Sequence, residues 1–186
     1  MARPQAADYD DRRAAIVEQA ARLYAERGFL GASLSDLAKA CKTSKSLIYH
    51  YYASKEDILF EVMHSHVADL KQTADAVMAS PISPPEKLRA ITREFMKHYV
   101  GAAARQKVLL NELAHLPANR RAIIVGIQDE LIADIQTLLS GIRPELSRTT
   151  LKLPAAMLYF GMINWTHTWM DPAGPAKPPT IADLAA

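Results

Sequence analysis

The chain has 186 residues, enough for one domain of generous size or a small domain joined to a larger one. Its 49% apolar and 23% charged residues, with only 7 glycines, point to a soluble helical protein and away from a disordered or β-rich one. A net charge of +2 announces no nucleic-acid partner, so any such case rests on local charge, and the single cysteine, Cys41, excludes an internal disulfide.

The opening stretch, MARPQAADYDDRR, is polar throughout and has no apolar core of an export signal, so a cytoplasmic location is expected. Ile16, Val17, Ala20, Leu23 and Tyr24 then recur at helical spacing, and Gly28 is a natural stop, which predicts a first helix over Asp11–Arg27. Ser33-Leu34-Ser35-Asp36 reads as a capping box for a short second helix that runs to about Cys41. After the Lys42-Thr43 break, Ser44 is placed to cap a third short helix. Ser54-Lys55-Glu56-Asp57 is a second capping signal, opening a long helix through Ile58, Val62, Met63, Val67 and Leu70. Two short helices and a tight turn between Ser33 and Ser54 make a helix-turn-helix unit.

Beyond it the pattern stays helical. Pro81, Pro84 and Pro85 punctuate, Ser83 caps, and helices are expected over Glu86–Val100, Gln106–His115 and Asn119–Ile142, the last closed by Gly141 and Pro144. Ser147–Met170 is expected to follow, kinked or begun afresh at Pro154, and after the DPAGPAKPP loop a final short helix starts at Thr180. The uncharged run Leu153–Met170 approaches a membrane span in length, yet Pro154, Asn164, Thr166, His167 and Thr168 interrupt it. A helix buried in a bundle or an oligomer is the better reading, with no membrane partner.

The third short helix carries the sharpest signal. At about 100° per residue, Lys45, Ser46, Tyr49 and His50 fall on one face and Leu47, Ile48, Tyr51 and Tyr52 on the other. Leu37–Lys55 holds Lys39, Lys42, Lys45 and Lys55 and no acidic residue, a local charge of +4. Lysines meet phosphates as point charges, Ser and Tyr hydroxyls donate to phosphate oxygens, and Ser44 and Lys55 sit at helix starts, whose amides also favour anions. Lys45, Ser46, Tyr49 and His50 therefore emerge as groove-facing contacts to double-stranded DNA.

GFLGASLSDLAKACKTSKSLIYHYYASKEDIL, Gly28–Leu59, resembles the DNA-binding region of the tetracycline-repressor (TetR) family of bacterial regulators. The resemblance rests on the Gly-Phe pair, the serine-started short helix, the Ser-Lys and Ile-Tyr pairs, the aromatic run and Ser-Lys-Glu. It implies an all-α fold: an N-terminal three-helix helix-turn-helix domain over residues 1–54, then a helical ligand-binding and dimerisation domain over 55–186. It further implies that Ser33 and Ser35 begin the supporting helix, that Ser44, Lys45, Ser46, Leu47, Tyr49, His50 and Tyr51 carry most DNA contacts, and that Lys55 binds a phosphate. The chain departs from the family in two places. Lys42 stands where glycine is common, which calls for a left-handed backbone, and Tyr52 replaces the usual Phe, so its hydroxyl needs a partner if buried.

The expected function is that of a ligand-responsive repressor, not an enzyme: a homodimer on a palindromic operator, released by a small-molecule inducer. Phe160–Pro175 is similar to the tail of acyl-CoA-responsive members, so an acyl-CoA or another hydrophobic molecule is the expected inducer. Phe95, His98, Tyr99, Asn111, His115, Tyr159 and Trp165 are candidates to line its cavity, and Ala155, Ala156 and Gly161 to let helices approach at a dimer seam. Arg105, Arg120 and Arg121 are candidates for a CoA phosphate. No cofactor is called for. The rival is a di-metal carboxylate bundle of oxidase or ferritin type, because Glu61–His64 and Glu112–His115 are E-x-x-H pairs on different predicted helices, with Glu94 on a third.

Overall fold

The structure is a computed structural model that describes residues 3–171, 173–175 and 177–186, with residues 3–8 described by their backbone only. Among the described residues every regular element is helical. The α-helices are α1 Arg3–Gly31, α2 Leu34–Ala40, α3 Lys45–Tyr51, α4 Lys55–Met78, α5 Pro84–Gly101, α6 Ala103–Asn111, α7 Ala118–Ile142, α8 Lys152–Trp169 and α9 Pro178–Ala185. Among the described residues no helix is long and apolar enough to cross a membrane.

Two units pack separately, one made of Met1–His66 with Ala104–Ile124, the other of Val67–Ala103 with Val125–Ala186. The division falls within α4, and a distant segment, residues 104–124, folds back onto the first unit.

In the first unit α1 begins at Arg3, about two turns before the expected Asp11. Pro4 falls in the first turn, where its missing N–H is no loss. The polar opening carries no apolar periodicity, so the pattern that locates the rest of α1 is blind to it. Gly28, at φ 74° and ψ 160°, breaks the helix as expected and turns Phe29 into the core. The α2 capping box forms: the Ser33 amide donates to Asp36 Oδ2 at 3.0 Å and the Asp36 amide to Ser33 Oγ at 3.1 Å. Its C-terminus closes with Lys42 N–H on Lys39 O at 3.0 Å and Thr43 N–H on Ala38 O at 2.9 Å. That Schellman pattern puts Lys42 at φ 52°, the left-handed backbone its glycine-like position requires. Residues 104–124 join this unit through the buried pair His66 Nε2 and Gln106 Oε1, 2.7 Å apart, and through Arg105 to Glu18 at 3.3 Å.

In the second unit α5 packs on α8 and α9. Ile91, Phe95 and Met96 are buried with Ala156, Tyr159 and Ile163 of α8, and Thr92 Oγ1 lies 2.8 Å from the Tyr159 hydroxyl. Burial pushes that phenol's pKa up to about 12. Arg93 grips Asp183 of α9 through two bonds of 2.6 and 2.9 Å. Three expectations need correction. Helix α6 ends at Asn111, and Leu113–His115 is a short 3-10 turn. Pro144–Arg148 is another such turn, and α8 starts at Lys152 with Pro154 inside its first turn, so that proline begins the helix and does not kink it. Gly141 lies within α7 and does not end it; a Cβ there would meet Pro84 at 3.0 Å.

Candidate nucleic-acid interface

Helix α3 is cut along its axis as the wheel requires. Ile48 and Tyr52 are 0% and 5% exposed, Leu47 and Tyr51 are half-buried, and Lys45, Ser46, Tyr49 and His50 are exposed. Ser44 caps it, its Oγ accepting from the Leu47 amide at 3.2 Å, so the first-turn amides and Lys45 share one end of the rod. Ser33 is exposed and Ser35 half-buried at the start of α2. Tyr49, at 54% exposure, is a phenol presented outward with its ring free of the core.

The inner face is anchored by a polar network that hydrophobic pattern alone does not reveal. The Tyr52 hydroxyl accepts from Arg13 Nε at 3.1 Å, and Arg13 also binds Glu61 at 2.9 Å. The buried phenol thus has the partner its departure from Phe demands. Burial raises the Tyr52 pKa, with the guanidinium opposing, and the bond to Tyr52 holds the Arg13 pKa above its usual value. At the start of α4, Asp57 accepts from Ser54 Oγ at 2.8 Å and from Arg120 at 2.6 Å, and Arg120 lies over the Phe60 ring at 4.4 Å.

Lys55 is turned inward. Its Nζ donates to the Phe29 carbonyl and stands 4.0 Å from the Phe29 ring centroid, and burial lowers its pKa against the pull of Glu56 and Glu112. A phosphate contact would have to compete with that engagement. Tyr9 and Arg13 were invisible as site residues in the sequence, since neither lies on a predicted apolar stripe; only the unmet Tyr52 hydroxyl hinted that a donor was needed. Cys41 is half-buried with its thiol pKa raised by burial, in keeping with a quiet structural side chain.

The ligand candidates fall in both units. Phe95, Tyr99 and Tyr159 are buried in the second unit, with Phe95 stacked on Tyr99 at 6.3 Å, and His98 Nε2 lies 3.0 Å from Thr73 Oγ1. Asn111 is exposed and bonds back to Lys107 O at 2.8 Å, and His115 stacks on Phe29 at 5.5 Å in the first unit. Trp165 is 65% exposed on the outer face of α8. Asn111 is thus engaged by local backbone, His115 by an aromatic stack, and Trp165 stands on an outer surface. Arg105 and Arg120 are held by Glu18 and Asp57.

The side chains of the rival metal reading are engaged with other partners. Glu61 is held by Arg13, His64 stacks on Phe60 at 5.1 Å, and Glu112 lies 3.4 Å from its own His115. Among the described residues no group of three or more His, Cys, Asp or Glu side chains gathers as metal ligands.

Residues 16–62 match bacterial regulatory proteins of the tetR family, and residues 81–186 match the tetracyclin repressor-like C-terminal domain. A TetR-family transcriptional regulator from Bordetella parapertussis is 35% identical, with a TM-score of 0.90 over 93% of this chain and 91% of that one. A structure of AibR in complex with isovaleryl coenzyme A and operator DNA is 29% identical, with a TM-score of 0.81 over 93% of this chain and 95% of that one. The HTH-type transcriptional regulator BetI of Agrobacterium fabrum is 38% identical over 80 residues, which are 43% of this chain and 39% of that regulator's length.

Proposed function

The chain belongs to the tetR family of bacterial regulatory proteins, and from that premise we propose that it is a cytoplasmic transcriptional repressor which binds a palindromic operator as a homodimer and leaves it when a small-molecule inducer binds. The observation that carries the reading is the split of α3: Ile48 and Tyr52 grip the scaffold while Lys45, Ser46, Tyr49 and His50 stand outside. A rod of this kind fits a major groove, and two of them related by a dyad read half-sites about one helical turn apart. Lys45 donates to guanine O6 or N7 or to a phosphate, Tyr49 packs on a thymine methyl or bonds a phosphate, and Ser33, Ser35, Ser44, Leu47 and Tyr51 place the unit on the backbone.

The second copy covers the outer face of α8, where Leu158, Met162, Trp165 and Trp169 are exposed at i, i+4, i+7 and i+11. Gly161 lies on the same side and allows close approach, whereas Ala156 faces inward and Ala155 is half-buried. The inducer is an acyl-CoA or a similar hydrophobic molecule; the ligand class is supported by the resemblance to AibR, whose structure holds isovaleryl coenzyme A together with operator DNA. Phe95, His98, Tyr99 and Tyr159 are its contacts in the second unit. Release follows if the ligand binds a non-reading conformer more tightly than the reading one.

Selection from a random-sequence duplex pool by the full-length protein tests the reading. An enriched inverted repeat, with base preference relaxed in Lys45→Ala and Tyr49→Ala, is expected; enrichment of no sequence would overturn it. Native mass spectrometry of the purified protein is expected to reveal a CoA thioester, and addition of isovaleryl coenzyme A to release the selected duplex.

A further inference from the structure

Tyr9 stands on α1, in the stretch that extends beyond the sequence-predicted helix, and its ring meets the last turn of α3. Its centroid is 4.7 Å from that of Tyr51, at an interplanar angle of 40°, and 6.2 Å from that of His50, edge-on at 80°. His50 and Tyr51 themselves meet edge-to-face at 5.3 Å. The three rings form one cluster on the surface of the head, with Tyr9 40% exposed and His50 on the outward face, so this is no piece of buried core.

We propose that Tyr9 is a positioning residue for sequence reading, which, packed with Tyr51, holds the His50 ring in the orientation that meets the bases, and the proposal rests on the DNA-reading function of α3. An exposed imidazole at the end of a seven-residue helix otherwise samples several rotamers, and binding must freeze one of them. A ring already set edge-on beside it removes part of that entropic loss before DNA arrives. Tyr9 carries no charge, so its contribution belongs to base discrimination and leaves the phosphate term alone. Helical extension of α1 back to Arg3 is what brings the ring there; an N-terminus frayed to Asp11 would leave Tyr9 unplaced.

Freezing one side chain corresponds to a factor of about threefold to tenfold per head, hence about 10- to 100-fold for a dimer on a two-fold site. Tyr9→Ala in the full chain is therefore expected to weaken the duplex selected by the wild type by that factor, with the slope against salt and the affinity for a scrambled duplex unchanged. Tyr9→Phe, which keeps the ring, restores binding. The loss is non-additive with His50→Ala, because Tyr9 acts through that imidazole. A readout without DNA stands beside these: the His50 ring protons of the free protein carry ring-current shifts from both Tyr9 and Tyr51, of which the Tyr9 part is lost in Tyr9→Ala and kept in Tyr9→Phe. His50 signals that are the same in the wild type and in Tyr9→Ala refute the ring contact itself. Equal weakening on selected and scrambled duplexes, or full additivity with His50→Ala, refutes positioning while leaving the reading by α3 intact. If the wild type enriches no sequence, both fall.

Discussion

Removal of the Lys55 side chain separates two roles that one cation cannot hold at once. If its Nζ stays on the Phe29 carbonyl and over the Phe29 ring, Lys55→Ala deletes a charge-assisted hydrogen bond and a cation–π contact. The first is worth about 1.5–3 kcal/mol and the second about 0.5–2 kcal/mol, before the cost of partly burying the ammonium is subtracted. That cost is real, since burial is the main cause of its lowered pKa. A net loss of about 1–3 kcal/mol follows, because the Phe29 carbonyl keeps only a long bond of 3.4 Å from the Ala32 amide. For a chain of this size that is a fall in Tm of roughly 3–10 °C, read by circular dichroism. Lys55→Met, which keeps the stem, should recover part of it. If Lys55 instead meets a phosphate, Tm holds and the slope of log K against log salt flattens by about 0.9 for each phosphate no longer neutralised. An unchanged Tm with that flattening would refute the inward role.

Three further outcomes follow from the same geometry. Lys42→Gly removes the left-handed penalty at φ 52° and should stabilise the head by about 1 kcal/mol, seen as a higher denaturant midpoint with the same m-value. Arg13→Ala leaves the Tyr52 hydroxyl buried without its donor and should cost about 1–3 kcal/mol in chemical denaturation, while Tyr52→Phe in that background recovers much of the loss. Leu158→Glu places a charge at the most exposed residue of the α8 stripe; sedimentation should report a monomer whose far-ultraviolet spectrum is unchanged, and a persisting dimer would move the interface elsewhere.

What the sequence made legible was local. The capping signals at Ser33, Ser44, Ser54 and Ser83 became helix starts because each depends on groups three residues apart, which the sequence places side by side. The α3 faces were legible for the same reason: seven residues of regular helix leave only one rotation that buries Ile48. The start of α1 was not, because a helix polar on all sides shows no period. Nor was the inward turn of Lys55, decided by a carbonyl 26 residues away, or the return of residues 104–124 to the first unit through His66 and Gln106. Long-range choices of this kind are made by packing, and a one-dimensional pattern holds them only as unmet needs such as the Tyr52 hydroxyl.

Helix α8 shows where an apolar residue fails to say which way it points. Its inner row, Ala156, Tyr159, Ile163 and Thr166, is buried, and even its polar atoms are met: the Tyr159 hydroxyl by Thr92, and Thr166 Oγ1 by the Ile163 carbonyl at 2.6 Å. Its outer row is as apolar and is bare, with Leu158 75% exposed. Hydrophobicity all round a helix is the mark of burial on every side, which is why this uncharged run approaches the length of a membrane span in sequence. The subunit's own fold supplies the cover for one side only. The other side repeats helically over Leu158, Met162, Trp165 and Trp169, so the surface it asks for is another helix, and a two-fold axis offers the same stripe from a second copy. In the proposed dimer, a dyad placed there would also supply what a palindrome requires of its reader, two identical heads in opposite orientation, so that one symmetry operation would meet the demands of both the bare row of α8 and the polar face of α3.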